Sequence, residues 1–291
     1  MDAVLTIVGV AIIAIGLWDM FHTLLHPSGR GALSRRLLAA TWALTKPFRR
    51  RLGSVAGAAG MLLVVLLWVV LQGLGWALIY LPHMPAEFTY SPGLDADDYA
   101  PFAESLYVSF VTLTTLGFGD VLAVTSWIRL VAPLEALTGF ALLTAAMTWF
   151  SQIYPPLSRR RALSLQLDGL AEAGYAEAVP ELDVGSLSRV LDSVAGKAAE
   201  VRVDFAQHSE GFYFREETPA LALARQLPYA LELKDAALVR QEPVVRLSAQ
   251  QLARVLDQLA ETLRSQYRLR GDDARAVFAA FATDHRHEAR A

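Results

Sequence analysis

Between two apolar stretches lies Thr114-Thr115-Leu116-Gly117-Phe118-Gly119-Asp120, a set of residue types suited to holding a dehydrated cation. Glycine adopts positive φ without a Cβ penalty, so Gly117 and Gly119 can turn successive carbonyls the same way. The ribbon Thr115, Leu116, Gly117, Phe118, Gly119 then offers a column of peptide oxygens in place of a hydration shell, with the Thr115 hydroxyl at its inner end. Leu116 and Phe118 are expected to turn away from that column and pack behind it, against Tyr107 and Phe110. Thr114 and Asp120 flank the ribbon as supports, Asp120 at its mouth. Non-helical backbone at membrane depth survives only when buried in protein or lining a wet path.

The elements that must position this ribbon are apolar. The chain is 54% apolar, with positive mean hydropathy, which places it outside the ordinary soluble class. Three windows, about Val4–Leu25, Val55–Leu81 and Trp127–Tyr154, are each long enough to cross a hydrocarbon core. A secretory signal fits the first window poorly, because Asp2 stands where a basic region belongs. Arg30, Arg35, Arg36, Lys46, Arg49, Arg50 and Arg51 lie between the first two windows without an acid among them. Short loops so rich in Lys and Arg stay cytoplasmic. The next loop carries Glu87, Asp95, Asp97 and Asp98 and no base, and Arg159 to Arg161 follow the third window. The expected topology puts the N-terminus outside and the C-terminus in the cytoplasm.

Pro101 to Thr114 is apolar but too short to span. Pro101 suits the first turn of a helix and Glu104 its positive end, which predicts a short re-entrant helix whose negative end aims at a cation. Glu135 stands inside the third window, where a carboxylate is costly unless paired. It reads as a brace behind the ribbon, with Thr112 and Thr114 as donors, as a cation attractor, or as a protonated packing residue. Below it, Leu143, Met147 and Ser151 share one face and can line a pathway or form a packing stripe. Pro155-Pro156 is expected to end the helix.

The ribbon resembles the potassium-channel signature. The stretch from about Leu62 to Phe150 resembles the pore module of bacterial potassium channels of the two-transmembrane pore-loop family, with Trp127 to Ala132 at the corresponding helix start. Gly139 falls where that family has its inner-helix hinge glycine. The resemblance implies a potassium-selective pore built from four ribbons around one axis, hence a homotetramer in a bacterial cell (inner) membrane. K+ is then the permeant ion, and no cofactor is implied. Phe118 and Leu116 depart from the commoner Tyr and Val. A non-selective cation channel, and a non-conducting membrane sensor or assembly protein, are the alternative readings.

Asp19, His22 and His26 share one face of the first window. They suit a divalent metal, a pH sensor, or polar contacts with neighbouring helices and headgroups. A membrane-embedded metalloenzyme built on them lacks a general base, so no enzyme is expected. The stretch Arg35 to Arg51, with Leu37, Leu38, Trp42, Leu44 and Phe48, reads as an interfacial helix touching anionic headgroups. Residues 158–291 mix bases and acids, which argues against nucleic-acid binding. Their period is helical: Leu187, Val190, Leu191, Val194 and Ala198 form one stripe, and Leu252 to Leu263 another, after a Ser248 suited to capping. Phe212-Tyr213-Phe214 reads as a core segment or as a ligand-pocket wall. No cysteine is present, so disulfides and thiolate sites are excluded. The predicted class is an all-α membrane protein. It comprises an extra N-terminal helix (1–26), a basic interfacial segment (27–54), a pore module (55–154) and a helical cytoplasmic domain (155–291).

Overall fold

The computed structural model describes residues 1–25, 31–48 and 55–288. In chain order, α1 (Asp2–Leu24), α2 (Ala32–Leu44) and α3 (Val55–Tyr80) precede β1 (Phe88–Tyr90) and α4 (Pro101–Leu113). Then come β2 (Val121–Ala123), α5 (Ser126–Gln152), α6 (Tyr154–Glu172), α7 (Tyr175–Ala178) and α8 (Val184–Gln207). The chain closes with α9 (Leu223–Leu238), α10 (Pro243–Tyr267) and α11 (Ala274–Asp284). α1, α3 and α5 lie in the three stretches long and apolar enough to cross a membrane, so this is an all-α membrane protein with an additional helical part. The described residues divide into two compact units. The first holds α1, α2 through Leu37, and residues 62–151; the second holds α2 from Leu38, the residues up to Met61, and 152–288.

In the first unit, glycines set the distance between α1 and α3. A Cβ at Gly9 would lie 2.5 Å from the Gly75 carbonyl oxygen, and one at Gly75 would lie 2.6 Å from Ile13 Cγ1. Small residues let helix backbones approach where lipid removes any hydrophobic drive between them. Gln72 Nε2 adds a hydrogen bond to the Ile13 carbonyl at 3.2 Å. Asp19, buried on α1, caps α2. It accepts from Leu33 N at 2.7 Å, from Ser34 N at 3.1 Å and from the Ser34 hydroxyl, and also from Trp68 Nε1 of α3 at 3.0 Å. Helix capping is thus the role the structure gives Asp19, in place of the metal-binding face. His22 Nδ1 lies 2.9 Å from the Trp18 carbonyl, and its ring meets those of Trp18 and Phe21. His26 lies outside the described residues, among which no group of potential metal ligands occurs.

The second unit is a helical bundle in which α8 runs along α10, with α6, α9 and α11 around them. Of the two predicted stripes, Leu187, Leu191, Val194, Ala198, Leu252, Leu256, Leu259 and Leu263 are buried, whereas Val190 and Val255 are half-buried. Asp183 caps α8 and Asp273 caps α11, each accepting from the amide three residues on. α10 starts at Pro243 rather than at Ser248, which sits buried inside it. Proline's preset φ and missing N–H suit the first helical turn, so the helix begins there. The same reasoning corrects Pro155-Pro156: α5 ends at Gln152, and the two prolines open α6 in its first turn.

Phe212, Tyr213 and Phe214 are core residues of this unit. Phe212 stacks on Tyr267 at 4.0 Å between ring centroids, and buried Arg160 donates to the Gly211 and Phe214 carbonyls at 2.7 and 2.8 Å. Leu38 and Trp42 of α2 are buried here too, against the expectation of a lipid-facing stripe. The reason is a partner: Trp42 Nε1 donates to Asp284 Oδ2 at 2.7 Å, and its ring meets those of Tyr213 and His285 at 5.8 and 5.1 Å. Arg35, Arg36 and Leu44 remain exposed on the other side of α2.

Candidate functional site

α4 begins at Pro101, as its sequence predicts, with Glu104 in the first turn, and it ends at Leu113. Beyond it the backbone changes hand residue by residue. Thr115, Gly117 and Gly119 have φ of 57, 54 and 76°, while the intervening Leu116 and Phe118 stay out of the left-handed region. Alternating hand turns successive carbonyls to one side, which glycine permits without strain and Thr115 adopts at a cost of roughly 1–3 kcal/mol. The amides of the ribbon are drawn to α4: Thr115 N donates to the Thr112 carbonyl at 2.9 Å, and Leu116 N to the Val111 carbonyl at 2.9 Å. The left-handed Thr115 had no sequence signal, since threonine rarely adopts that region.

The far end of the ribbon is fastened at Asp120, by partners that the sequence did not point to. Tyr107 OH donates to Asp120 Oδ2 at 2.5 Å, and Val121 N to Asp120 Oδ1 at 3.1 Å. Directly after Asp120 comes β2, antiparallel to β1 with Tyr90 opposite Val121, and Ser91 N donates to the Asp120 carbonyl at 2.8 Å. Glu87, just before β1, accepts from Thr125 Oγ1 at 2.5 Å and from Trp127 Nε1 at 3.3 Å, and lies 2.8 Å from His83 Nδ1. The Thr125 bond, then that of His83, holds the Glu87 carboxyl below its usual range.

Glu135 is fully buried, and it touches other residues than those expected. In place of Thr112 and Thr114, its partners are Ser109 on α4 and Tyr80 on α3. Ser109 Oγ lies 2.6 Å from Oε1 and Tyr80 OH donates to Oε2 at 2.6 Å. Ser109 Oγ also reaches the Gly73 carbonyl at 2.9 Å. Thr114 bonds its own helix at the Phe110 carbonyl, 2.7 Å away. Glu135 therefore ties three helices at one point. One turn on, Gly139 meets the end of α4: a Cβ there would lie 1.8 Å from the Leu113 carbonyl oxygen.

Leu116 and Phe118 do not pack behind the ribbon on Tyr107 and Phe110. They are 57% and 65% exposed, because one chain supplies nothing to cover them. Leu143, Met147 and Ser151 are exposed along one side of α5, below Gly139.

Residues 63–154 match the family described as ion channel. Over 174 residues, 58% of this chain, the sequence is 26% identical to an uncharacterized membrane protein, YdjJ, of Bacillus subtilis (strain 168). The alignment covers 49% of that relative, so the chain spans about half its length. No solved structure matches. The matched stretch holds α5, α4, the ribbon and all but the first turns of α3, and it is in these elements that the chain is similar to ion channels.

Proposed function

We propose that the protein is a potassium-selective channel, passing K+ down its gradient through a pore shared by four copies. The observation that carries the reading is the alternating left-handed backbone at Thr115, Gly117 and Gly119, with neighbouring amides bonded back to α4. In this reading Thr115, Leu116, Gly117, Phe118 and Gly119 supply carbonyl oxygens to the ion, supported by Thr114, Asp120 and Glu135. The exposed Leu116 and Phe118 are covered by neighbouring copies. Gly139 lets the inner helix α5 bend, and Leu143, Met147 and Ser151 line the path below. The charge pattern puts the N-terminus outside a bacterial inner membrane, with Arg35 and Arg36 facing anionic headgroups. The protein does no covalent chemistry.

The test is ion flux from vesicles holding purified protein. Flux of K+ well above Na+, lost in Gly117→Ala, is the expected result. Equal K+ and Na+ flux would make this a non-selective cation channel, and no flux at all would favour a non-conducting sensor.

A further inference from the structure

Within the first unit, two segments on either side of α4 are joined step by step, from Glu87 to Ser91 on one and from Trp127 back to Gly119 on the other. At one end the Glu87 carboxylate accepts from Thr125 Oγ1 at 2.5 Å and from Trp127 Nε1 at 3.3 Å, and lies 2.8 Å from His83 Nδ1. The Glu87 carbonyl accepts from Val124 N at 2.9 Å. The strands follow, with Phe88 opposite Ala123, Thr89 opposite Leu122 and Tyr90 opposite Val121. At the other end Ser91 N donates to the Asp120 carbonyl at 2.8 Å, and the Ser91 hydroxyl donates to the Gly119 carbonyl at 3.4 Å. The clasp therefore ends on a carbonyl of the ribbon itself.

Two strands of three residues do not hold themselves together in water. Phe88 supplies part of the hold, since it is buried in a cluster with Trp76, Ile79, Tyr80 and Ile128. Glu87 supplies the rest through bonds to an ionised acceptor, which are stronger than neutral ones. Its partners Thr125 and Trp127 stand on either side of Ser126, where α5 begins, so the carboxylate fixes the step from β2 into that helix. The near end of the ribbon is held differently, by the amides of Thr115 and Leu116 bonded to carbonyls of α4. The far end depends on the clasp and on the Tyr107 bond to Asp120.

We propose that Glu87 is a positioning residue for ion selection, holding the far end of the ribbon through the β1–β2 clasp and Ser91. Four residues of extended chain, about 13 Å, separate it from Ser91, so it acts on the ion only through the clasp. Discrimination between K+ and Na+ depends on how many carbonyls meet the ion and where they are held. A ribbon fastened only at its near end lets the Gly119 carbonyl shift towards the smaller ion. The selection side of this inference rests on the channel reading, whereas the fastening of the ribbon does not.

The K+/Na+ permeability ratio of the reconstituted full-length protein tests the selection side, because it belongs to each conducting channel and does not depend on how much protein folds. Glu87→Ala should lower the ratio by about fivefold or more. Glu87→Gln, which keeps an oxygen for Thr125, should retain most of it. Thr89→Cys with Leu122→Cys, oxidised to a disulfide across the facing pair, should restore the ratio in Glu87→Ala. The chain has no cysteine of its own, so no other thiol competes. An unchanged ratio in Glu87→Ala, whatever the loss of thermal midpoint or assembly, overturns the proposal, and so does a lowered ratio that the disulfide fails to raise. Should Glu87→Ala not assemble, Thr125→Val removes the shortest bond to the carboxylate and should lower the ratio by about twofold or more, an unchanged ratio again counting against. A wild type that passes no K+, or K+ and Na+ alike, contradicts the channel reading instead, and hydrogen exchange then decides the fastening. Glu87→Ala, or Thr125→Val in its place, should speed exchange about threefold or more at residues 116–121 as well as at 88–91. Acceleration confined to 88–91 overturns it.

Discussion

Glu135 holds one end each of Tyr80 and Ser109, so three helices meet on a single buried carboxyl. Removing one hydroxyl leaves a buried acceptor short of a partner, which costs about 1–3 kcal/mol. Tyr80→Phe should therefore lower the thermal midpoint of the detergent-solubilised protein. In Glu135→Gln the further cost of Tyr80→Phe should be smaller, since the two residues act through one bond. Gly139 makes a different prediction. With the Leu113 carbonyl oxygen 1.8 Å from the position of an alanine Cβ, Gly139→Ala must displace the end of α4, to which the ribbon's amides are bonded. Overpacking of this kind costs about 1–3 kcal/mol or more. The K+/Na+ ratio from bi-ionic reversal potentials should fall in Gly139→Ala, whereas a pure hinge would change open time and leave that ratio intact. The residues carrying these predictions differed in how plainly they could be read. Gly117, Gly119 and Pro101 announce themselves because glycine and proline act on their own φ. The partners of Glu135 did not, being 26 and 55 residues away, where only the packed fold brings them near.

At the scale of elements, the three spans and α4 were legible from runs of apolar residues, and their bounds in the structure differ from the expected ones by only a few residues. The face that α2 buries was not. Its stripe of Leu38 and Trp42 suits lipid and protein equally, and only Asp284 and the aromatic core decide between them. The β1–β2 pair escaped notice because each strand is three residues long. Packing of α1 on α3 depends on the close approach at Gly9 and Gly75, so Gly75→Val should force the helices apart and lower the thermal midpoint. The end of α11 carries a pH dependence. Burial among Trp42, Phe212 and Phe281 lowers the His285 imidazole from the ordinary 6.5 to about 4, and the shorter contact, to the Phe212 carbonyl, assigns its proton to Nε2. A depressed imidazole contributes stability that is fully present above 6.5 and is lost as pH falls through 6.5 towards about 4. Thermal midpoints measured between those values should fall with pH in the wild type, and less steeply in His285→Gln.

For the whole molecule, the proposed channel requires more than one copy of the chain. Leu116 and Phe118 stand exposed beside the ribbon, and one ribbon encloses no path. The purified protein should therefore have the mass of four chains in detergent, and a monomer that still conducts would contradict the arrangement. An all-α membrane protein with a pore-loop module was legible from the sequence, because hydropathy and the glycine-threonine ribbon are local signals. The most direct measurement of the central claim is the current through reconstituted protein with K+ on one side of a bilayer and Na+ on the other. The alternating ribbon predicts a reversal potential close to that of a K+-selective membrane, collapsing in Gly117→Ala. A reversal potential near zero, or no current carried by K+ at all, would contradict it.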